Sequence, residues 1–248
     1  MMSARFLFFI FPVLFFIFSF HESKCQSNFL SAQGSYSTFF NFHSTFFSTG
    51  SKFRIVRLKY SGGGDWYNDP SAEVNMMNYL KKNTTISIDE SKFYSVDVAS
   101  DEIYNYPFII ITGHGNIDFS PQEAVRLRKY CETGGFLYAD DDYGMDTAFR
   151  REIKKVFPDE EMKEIPFSHK IYSSHYSFPN GLPKIHEHDG KPPQGFGIYS
   201  NGRLCVYYTY ETNITDGWAD TKEHDDPPEK REEALRMGTN IIVYALMY

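Results

Sequence analysis

From residue 52 onward, short apolar runs are separated by segments with helical spacing of apolar residues. This pattern predicts strands that alternate with helices. Residues 107–112 (PFIIIT) form a continuous apolar run, which is typical of a strand buried on both faces. Residues 120–123 (SPQE) have the composition of a capping box with Pro at the first helical position, and they predict a helix to about Cys131. Residues 136–139 predict the next strand. Strand, helix and strand at this length indicate a βαβ unit and hence a parallel sheet.

Further elements are predicted on both sides of this unit. Asp69-Pro70 is a helix start with Asp69 as the N-cap, and Asn201-Gly202 between two apolar runs predicts a β-hairpin. Strands are predicted at residues 53–60, 86–88 and 94–98. Helices are predicted from residue 146 or 147 to 156 and at residues 229–248. The sequence therefore predicts an α/β fold with a flavodoxin-like, mostly parallel sheet, helices on both faces and a C-terminal β-hairpin.

The N-terminus follows a different pattern. Arg5 precedes an uncharged, largely apolar stretch of 15 residues, 6–20, and Glu22 and Lys24 then restore polarity. A spanning helix needs about 20 apolar residues, so this pattern favours a secretory signal peptide. We expect a signal peptide at residues 1–25, a Ser/Phe-rich spacer at 26–51 and the α/β domain at 52–248. The mature protein is then exported, periplasmic or envelope-associated, and has no spanning helix.

Composition narrows the range of partners. The net charge is −7, which disfavours nucleic acid because binding to phosphates needs a basic face. Hydrophobic residues make up 42% of the chain, enough for a sizeable core. Beyond Cys25 there are two cysteines, Cys131 and Cys205. They are either a disulfide or two buried thiols, and the sequence leaves both alternatives open.

Three loops rich in polar residues follow predicted strands. Ligands of open α/β sheets bind beyond the carboxyl ends of the strands, so we expect these loops to form one site. Asp65, His114 and Asp140 should lie within about 12 Å of each other, with Asp140 pointing into the cleft. A solvated acidic corner is the alternative for residues 140–142. The expected ligand-binding residues are Asp65, Trp66, Tyr67, His114, Asn116, Asp140, Asp141, Asp142 and Tyr143.

A second group of polar residues occurs at His186-Glu187-His188. In an extended segment alternate side chains share a face, so His186 and His188 would point the same way. With Asp140 they are the candidate ligands of a divalent metal, the cofactor that these residue types suit. The spacing favours a pair of hydrogen-bonded loop histidines over a metal site.

A third group lies around the hairpin. Gln194, Glu211 and Trp218 lie near predicted strand ends and loops, and they complete the set of ligand-binding candidates. Aromatic faces beside carboxylates and amides suit a glycan or another polar small molecule. The alternative is that a chain with 18% aromatic residues must expose some rings.

Several of these motifs carry a resemblance to a known family. SGGGDWYNDP (61–70), TGHGN (112–116), GGFLYADDDYGMD (134–146) and LPKIHEHDGKPPQGFGI (182–198) resemble a bacterial family catalogued as domain of unknown function 4159. The resemblance covers residues 52–248. The family is placed in the class I glutamine amidotransferase-like superfamily and has no assigned activity, so the resemblance implies the fold and not the chemistry.

The resemblance also excludes one activity. Active members of that superfamily carry a nucleophilic cysteine in the turn that corresponds to residues 140–142. Here the turn is Asp-Asp-Asp, and Cys131 and Cys205 lie elsewhere. Without a thiolate in the turn the covalent route is absent, which excludes a cysteine-dependent amidotransferase.

Two functional hypotheses remain. The first is an envelope domain that binds a polar ligand, such as a glycan, or a partner protein. The alternative is a metal-dependent hydrolase that uses His114, His186, His188 and the acidic turn. The sequence favours the first, because neither metal-binding pattern has a complete ligand spacing by itself.

Overall fold

Residues 52–248 are described by a computed structural model of the protein. The predicted signal peptide and the spacer at 26–51 lie outside the described residues. Within the described part, no helix combines the length and the apolar character needed to cross a bilayer.

One seven-stranded sheet runs through the described residues. Its strands are β1 (Val56–Lys59), β2 (Ser95–Asp97), β3 (Phe108–Ile111), β4 (Phe136–Asp140), β5 (Lys163–Glu164), β6 (Gln194–Ser200) and β7 (Arg203–Tyr210). Their order is β2-β1-β3-β4-β7-β6-β5. The first five are parallel, and β6 and β5 are antiparallel additions. The order of the first four strands is that of flavodoxin-like sheets, as the sequence predicts.

Helices cover both faces of this sheet. They are α1 (Ser71–Asn83), α2 (Pro121–Glu132), α3 (Asp146–Val156), α4 (Thr221–His224) and α5 (Pro228–Met247). In β3, Phe108 and Ile110 face the core under α1 and α5, whereas Ile109 and Ile111 face the core under α2 and α3. All four side chains are fully buried, which explains the continuous apolar run.

Two local signals act as expected. The Ser120 hydroxyl accepts from the Glu123 N–H and the Glu123 carboxylate accepts from the Ser120 N–H, which forms the capping box of α2. Asn201 and Gly202 both adopt positive φ, 52° and 78°, as a two-residue hairpin between β6 and β7 requires.

Two local expectations turn out differently. Asp69 does not cap α1 through its side chain. It has φ 42°, and its carboxylate lies 3.1 Å from His224 Nε2. The segment 86–88 does not form a strand. It contributes only an isolated bridge, between Ile88 and Phe53. Of the two alternatives that the sequence leaves open for Cys131 and Cys205, the structure shows the second, two buried free thiols.

Candidate functional site

The loops after β1, β3 and β4 meet at the carboxyl edge of the sheet. His114 Nδ1 lies 3.1 Å from Asp65 Oδ2, and its Nε2 lies 3.5 Å from Asp142 Oδ1. Asp65 also accepts from the His114 backbone N–H. The imidazole is half exposed, whereas Asp142 is almost completely buried. His114 thus joins the first loop to the third at the rim of the site.

Three carboxylates converge beneath this rim. Asp69, Asp142 and Asp216 each offer an oxygen, and these atoms lie within 4.8 Å of one another. Two amides hold them: Asn68 donates to Asp142, and Asn213 Nδ2 donates to Asp142 at 3.1 Å and to Asp216 at 2.7 Å. The loop after β7, which carries Asn213 and Asp216, therefore completes the site.

Two histidines share one of these carboxylates. His186, His224 and Asp216 form a second group whose ligand atoms lie within 4.8 Å of one another. His186 Nδ1 lies 3.0 Å from Asp216 Oδ2, and its Nε2 lies 3.0 Å from Asp226 Oδ1. We name Asp69, Asp142, His186, Asp216 and His224 the carboxylate–histidine cluster. Asp216 belongs to both of its three-residue groups.

The carboxylates of the cluster have no Lys or Arg partner among the described residues. Among the described residues, the only ion-pair partners of its carboxylates are histidines. Burial, together with the Asp216 and Asp140 carboxylates, raises the pKa of Asp142 to about 9. The hydrogen bond to Asp216 raises the pKa of His186. Burial also acts to raise the pKa of Asp216, but the neighbouring histidines and Asn213 outweigh it and keep that pKa low.

Two buried acceptors beside the cluster lack partners. Within residues 52–248, Asn213 Oδ1 and Asp226 Oδ2 accept no hydrogen bond, although both residues are more than nine-tenths buried. Leaving such an atom unsatisfied costs about 1–3 kcal/mol. A cation bound at the cluster would balance its excess negative charge.

Asp140 has a different position from the one expected. Its side chain is fully buried and accepts from Thr209 Oγ1, from the Thr215 N–H at 2.6 Å and from Thr215 Oγ1 at 2.8 Å. Burial raises its pKa to about 6. Asp140 thereby ties the end of β4 to the loop that presents Asp216, and it lies beneath the site instead of pointing into it.

His186 and His188 diverge. The segment that carries them is a series of bends, so alternate side chains do not share a face. His188 lies against the acidic turn, with its Nδ1 3.9 Å from Asp141 Oδ2 and its ring 4.9 Å from that of Tyr143. Asp141 also accepts from the Met145 N–H and so stabilises the start of α3. Of the three expected metal ligands, only His186 joins the cluster.

The remaining candidates of the first two loops lie at the rim. Tyr67 is 62% exposed, and the Lys59 ammonium lies 5.2 Å from the centre of the Trp66 ring. Asn116 donates to the Gly62 carbonyl at 3.1 Å and accepts from Arg151 at 2.8 Å. These contacts hold the loop after β3 against the loop after β1.

The candidates around the hairpin lie away from the cluster. Trp218 is fully buried, packs against Tyr138 and donates to the Ala234 carbonyl at 2.9 Å. Glu211 is buried and pairs with Lys184 at 2.9 Å. Gln194 begins β6 opposite Tyr210. The structure does not bring these three side chains to the site.

Several members of the site were not anticipated. They are Asn68, Asp69, Asn213, Asp216, His224 and Asp226. Asp69 precedes a proline at the start of a helix, so the sequence predicted a capping residue there and not a metal ligand. The run His224-Asp225-Asp226 before two prolines was the signal that could have been used, since it offers metal-ligand side chains in a loop.

Comparison with known proteins identifies a family. A family model described as "Domain of unknown function (DUF4159)" matches residues 54–246. No curated protein matches the chain.

Proposed function

This chain belongs to the DUF4159 family, and from its site we propose that it is a metal-dependent hydrolase whose carboxylate–histidine cluster binds divalent cations. One observation carries the proposal: two groups of three potential ligands share Asp216. A carboxylate common to two metal positions suits the two-metal sites of hydrolytic enzymes, in which the ions lie about 3.5–4 Å apart.

The two positions differ in their ligands. Asp216 with His186 and His224 offers nitrogen and oxygen, a set that suits Zn²⁺ and related transition metals. Asp216 with Asp69 and Asp142 offers oxygen only, a set that suits Mg²⁺ or Mn²⁺. A bound cation would lower the pKa of its water and supply a hydroxide nucleophile. His114, held by Asp65 at the exposed rim, would exchange protons with the substrate.

A second candidate function is binding of a polar ligand, such as a glycan, or of an envelope protein without catalysis. The observation that favours it is the pair of exposed rings beside the cluster. Tyr67 and Tyr143 are 62% and 55% exposed, and each adjoins a partner in the Asn68–Asp142 hydrogen bond. Exposed aromatic faces beside carboxylates suit sugars.

Export is part of the proposal. It rests on Arg5 and the apolar stretch at 6–20, which have the pattern of a signal peptide. N-terminal sequencing of the secreted or envelope fraction should find a mature chain that begins between about Ser23 and Asn28. An intact Met1 on protein from the cytoplasm would refute it.

The metal proposal is tested by elemental analysis of the purified protein. We expect divalent metal in the wild type and a loss of metal in Asp216→Asn, because that change removes the shared ligand. Asp159→Asn, at an exposed aspartate, is the matched control and should keep its metal. Equal metal contents in Asp216→Asn and wild type, or none in either, would contradict the proposal.

Catalysis is tested separately with 4-nitrophenyl esters, phosphates and glycosides. A hydrolase should release nitrophenol from at least one of these classes, lose this activity to a chelator and regain it with Mn²⁺ or Zn²⁺. Bound metal without hydrolysis of any of them would favour the non-catalytic candidate.

A further inference from the structure

A second cavity adjoins the acidic turn, and none of its lining residues belongs to the carboxylate–histidine cluster. Its volume is about 400 Å³. Its walls come from the acidic turn, the start of α3, the bends after His186 and the end of β7. The side chains that matter for its chemistry are Asp141, Tyr143, His188, Asp189, Lys191 and Tyr210.

His188 is the unusual group in this wall. Its side chain is only 2% exposed, yet within the described residues neither ring nitrogen has a hydrogen-bond partner. Buried imidazoles are normally hydrogen-bonded, and leaving both nitrogens unpaired is costly. An imidazole nitrogen either donates a hydrogen bond through its N–H or accepts one through its lone pair. A ligand hydroxyl can serve either nitrogen, because a hydroxyl both donates and accepts.

Three of the four carboxylates in the wall have a Lys or Arg partner. The Lys191 ammonium lies 3.2 Å from Asp189 Oδ2. Glu211 pairs with Lys184 at 2.9 Å, and Asp146 pairs with Arg150 at 2.6 Å. Among the described residues, Asp141 is the carboxylate of the wall that has no Lys or Arg partner. The wall therefore has no excess of positive charge, which disfavours an anion, and the Asp141 carboxylate can accept from a hydroxyl of a neutral ligand.

Aromatic and polar groups stand side by side at the mouth. The Tyr143 ring is 55% exposed and lies 4.9 Å from the His188 ring. Tyr210 accepts from Lys191 at 2.9 Å, and Tyr143 donates to Asp189 at 3.4 Å. An apolar face ringed by donors and acceptors matches a pyranose, which has an apolar C–H face and a rim of hydroxyls.

We propose that this cavity is a binding site for a neutral sugar residue, which stacks on Tyr143 and bonds through a hydroxyl to His188. Asp141 lines the cavity and the next residue, Asp142, belongs to the cluster, so their Cα atoms are about 3.8 Å apart. A sugar held here would therefore adjoin the metal positions. Its role as a substrate subsite rests on the proposed hydrolase function, whereas sugar binding itself does not.

The test is saturation-transfer NMR and calorimetry with the purified full chain. The probes are glucose, galactose, N-acetylglucosamine and the β-1,4-linked disaccharides of glucose and N-acetylglucosamine. We expect at least one of them to bind. Tyr143→Ala and His188→Phe should raise its Kd about tenfold or more, which corresponds to about 1.4 kcal/mol. Absence of binding by every probe would overturn the proposal.

Matched variants separate the cavity from general effects and from the metal. Tyr199→Ala and His175→Phe change the same residue types elsewhere on the surface and should leave the Kd unchanged. Asp216→Asn should lose metal but keep the sugar, so a failure of the metal proposal is distinguishable from a failure of this one. Equal losses in Tyr143→Ala and Tyr199→Ala would overturn it. If His188→Phe does not fold, the exposed Tyr143→Ala decides the question.

Discussion

Asp140 and Asp142 stand two positions apart in one turn but have different partners. Asp140 is surrounded by hydrogen-bond donors from Thr209 and Thr215, which stabilise its ionised form against burial. Asp142 faces the Asp216 carboxylate and has a pKa of about 9, so without a cation it holds a proton at pH 7. The two residues should therefore respond differently to the same substitution.

Asp140→Asn should lower the free energy of unfolding by about 2 kcal/mol, because an amide group replaces an acceptor of three donors. Asp142→Asn should leave the metal-free protein close to wild-type stability but remove stabilisation by Mn²⁺ or Zn²⁺. Urea denaturation with and without metal measures both effects. A free energy of unfolding of Asp140→Asn equal to that of the wild type would contradict the role of Asp140 in holding the end of β4 to the loop of Thr215.

Glu211 should contribute to the pH dependence of stability. Burial acts to raise its pKa, but Lys184 and the N–H groups of Asp189 and Lys191 outweigh it, so the folded-state pKa lies below the usual value. Its contribution is then present above the unfolded pKa of about 4.3 and is lost as pH falls through the folded pKa.

Replacing Glu211 by Gln should therefore destabilise the protein at pH 7 and have a smaller effect at about pH 3. Thermal unfolding across this pH range provides the measurement. Glu160→Gln, at an exposed glutamate, is the control and should change neither value. A loss from Glu211→Gln that is the same at both pH values would show that the charge has no part in it.

At the scale of elements, α5 positions the turn that carries Asp216. Trp218, in the same 3-10 turn as Asp216, lies between this turn and α5 and donates to the Ala234 carbonyl. Gly238 permits this close approach, since a Cβ there would lie 2.4 Å from the Trp218 ring. The buried tryptophan thus supports the site from behind.

Gly238→Ala should weaken metal binding and lower stability. Alanine alone would favour the helix by about 0.5–1 kcal/mol, but the clash with Trp218 must displace the ring or the turn. Glu233→Ala, on the exposed face of α5, is the control for helix propensity and should keep full metal affinity. Calorimetric titration of each variant with metal measures this affinity. Unchanged affinity in Gly238→Ala would show that α5 does not position Asp216.

At the scale of the whole molecule, the cluster joins four connections of the fold and brings together three carboxylates, which repel one another when ionised. A cation that binds only the folded state stabilises it by mass action. At a free metal concentration of 100 times Kd, the gain is about 2.7 kcal/mol per site.

The midpoint of thermal unfolding should therefore rise with added Zn²⁺ or Mn²⁺ and fall on dialysis against a chelator. The Asp216→Asn variant should respond to neither, because both three-residue groups lose their common member. Asp159→Asn should respond as the wild type does. A midpoint that is indifferent to metal in the wild type would contradict a metal site in the folded protein.

The sequence alone determined the elements whose causes are local. The capping box at Ser120 and Glu123, the hairpin turn at Asn201-Gly202 and the apolar run at 107–112 all depend on neighbours within a few residues. The parallel order followed from βαβ spacing. The sequence also located Asp65, His114 and Asp142, because the carboxyl ends of parallel strands share one edge.

Only the tertiary structure decided which side chains meet at that edge. Asp69 follows β1, whereas Asp216 and His224 lie in the connection between β7 and α5. The positive φ of Asp69 turns its carboxylate towards His224 and not towards the start of α1. Trp218 is buried because α5 packs over it, a contact that no local pattern encodes. Ligand convergence depends on strand order and loop conformation together. Local sequence patterns therefore predict the carboxyl edge of the sheet as the place of the site, but not the side chains that form the cluster.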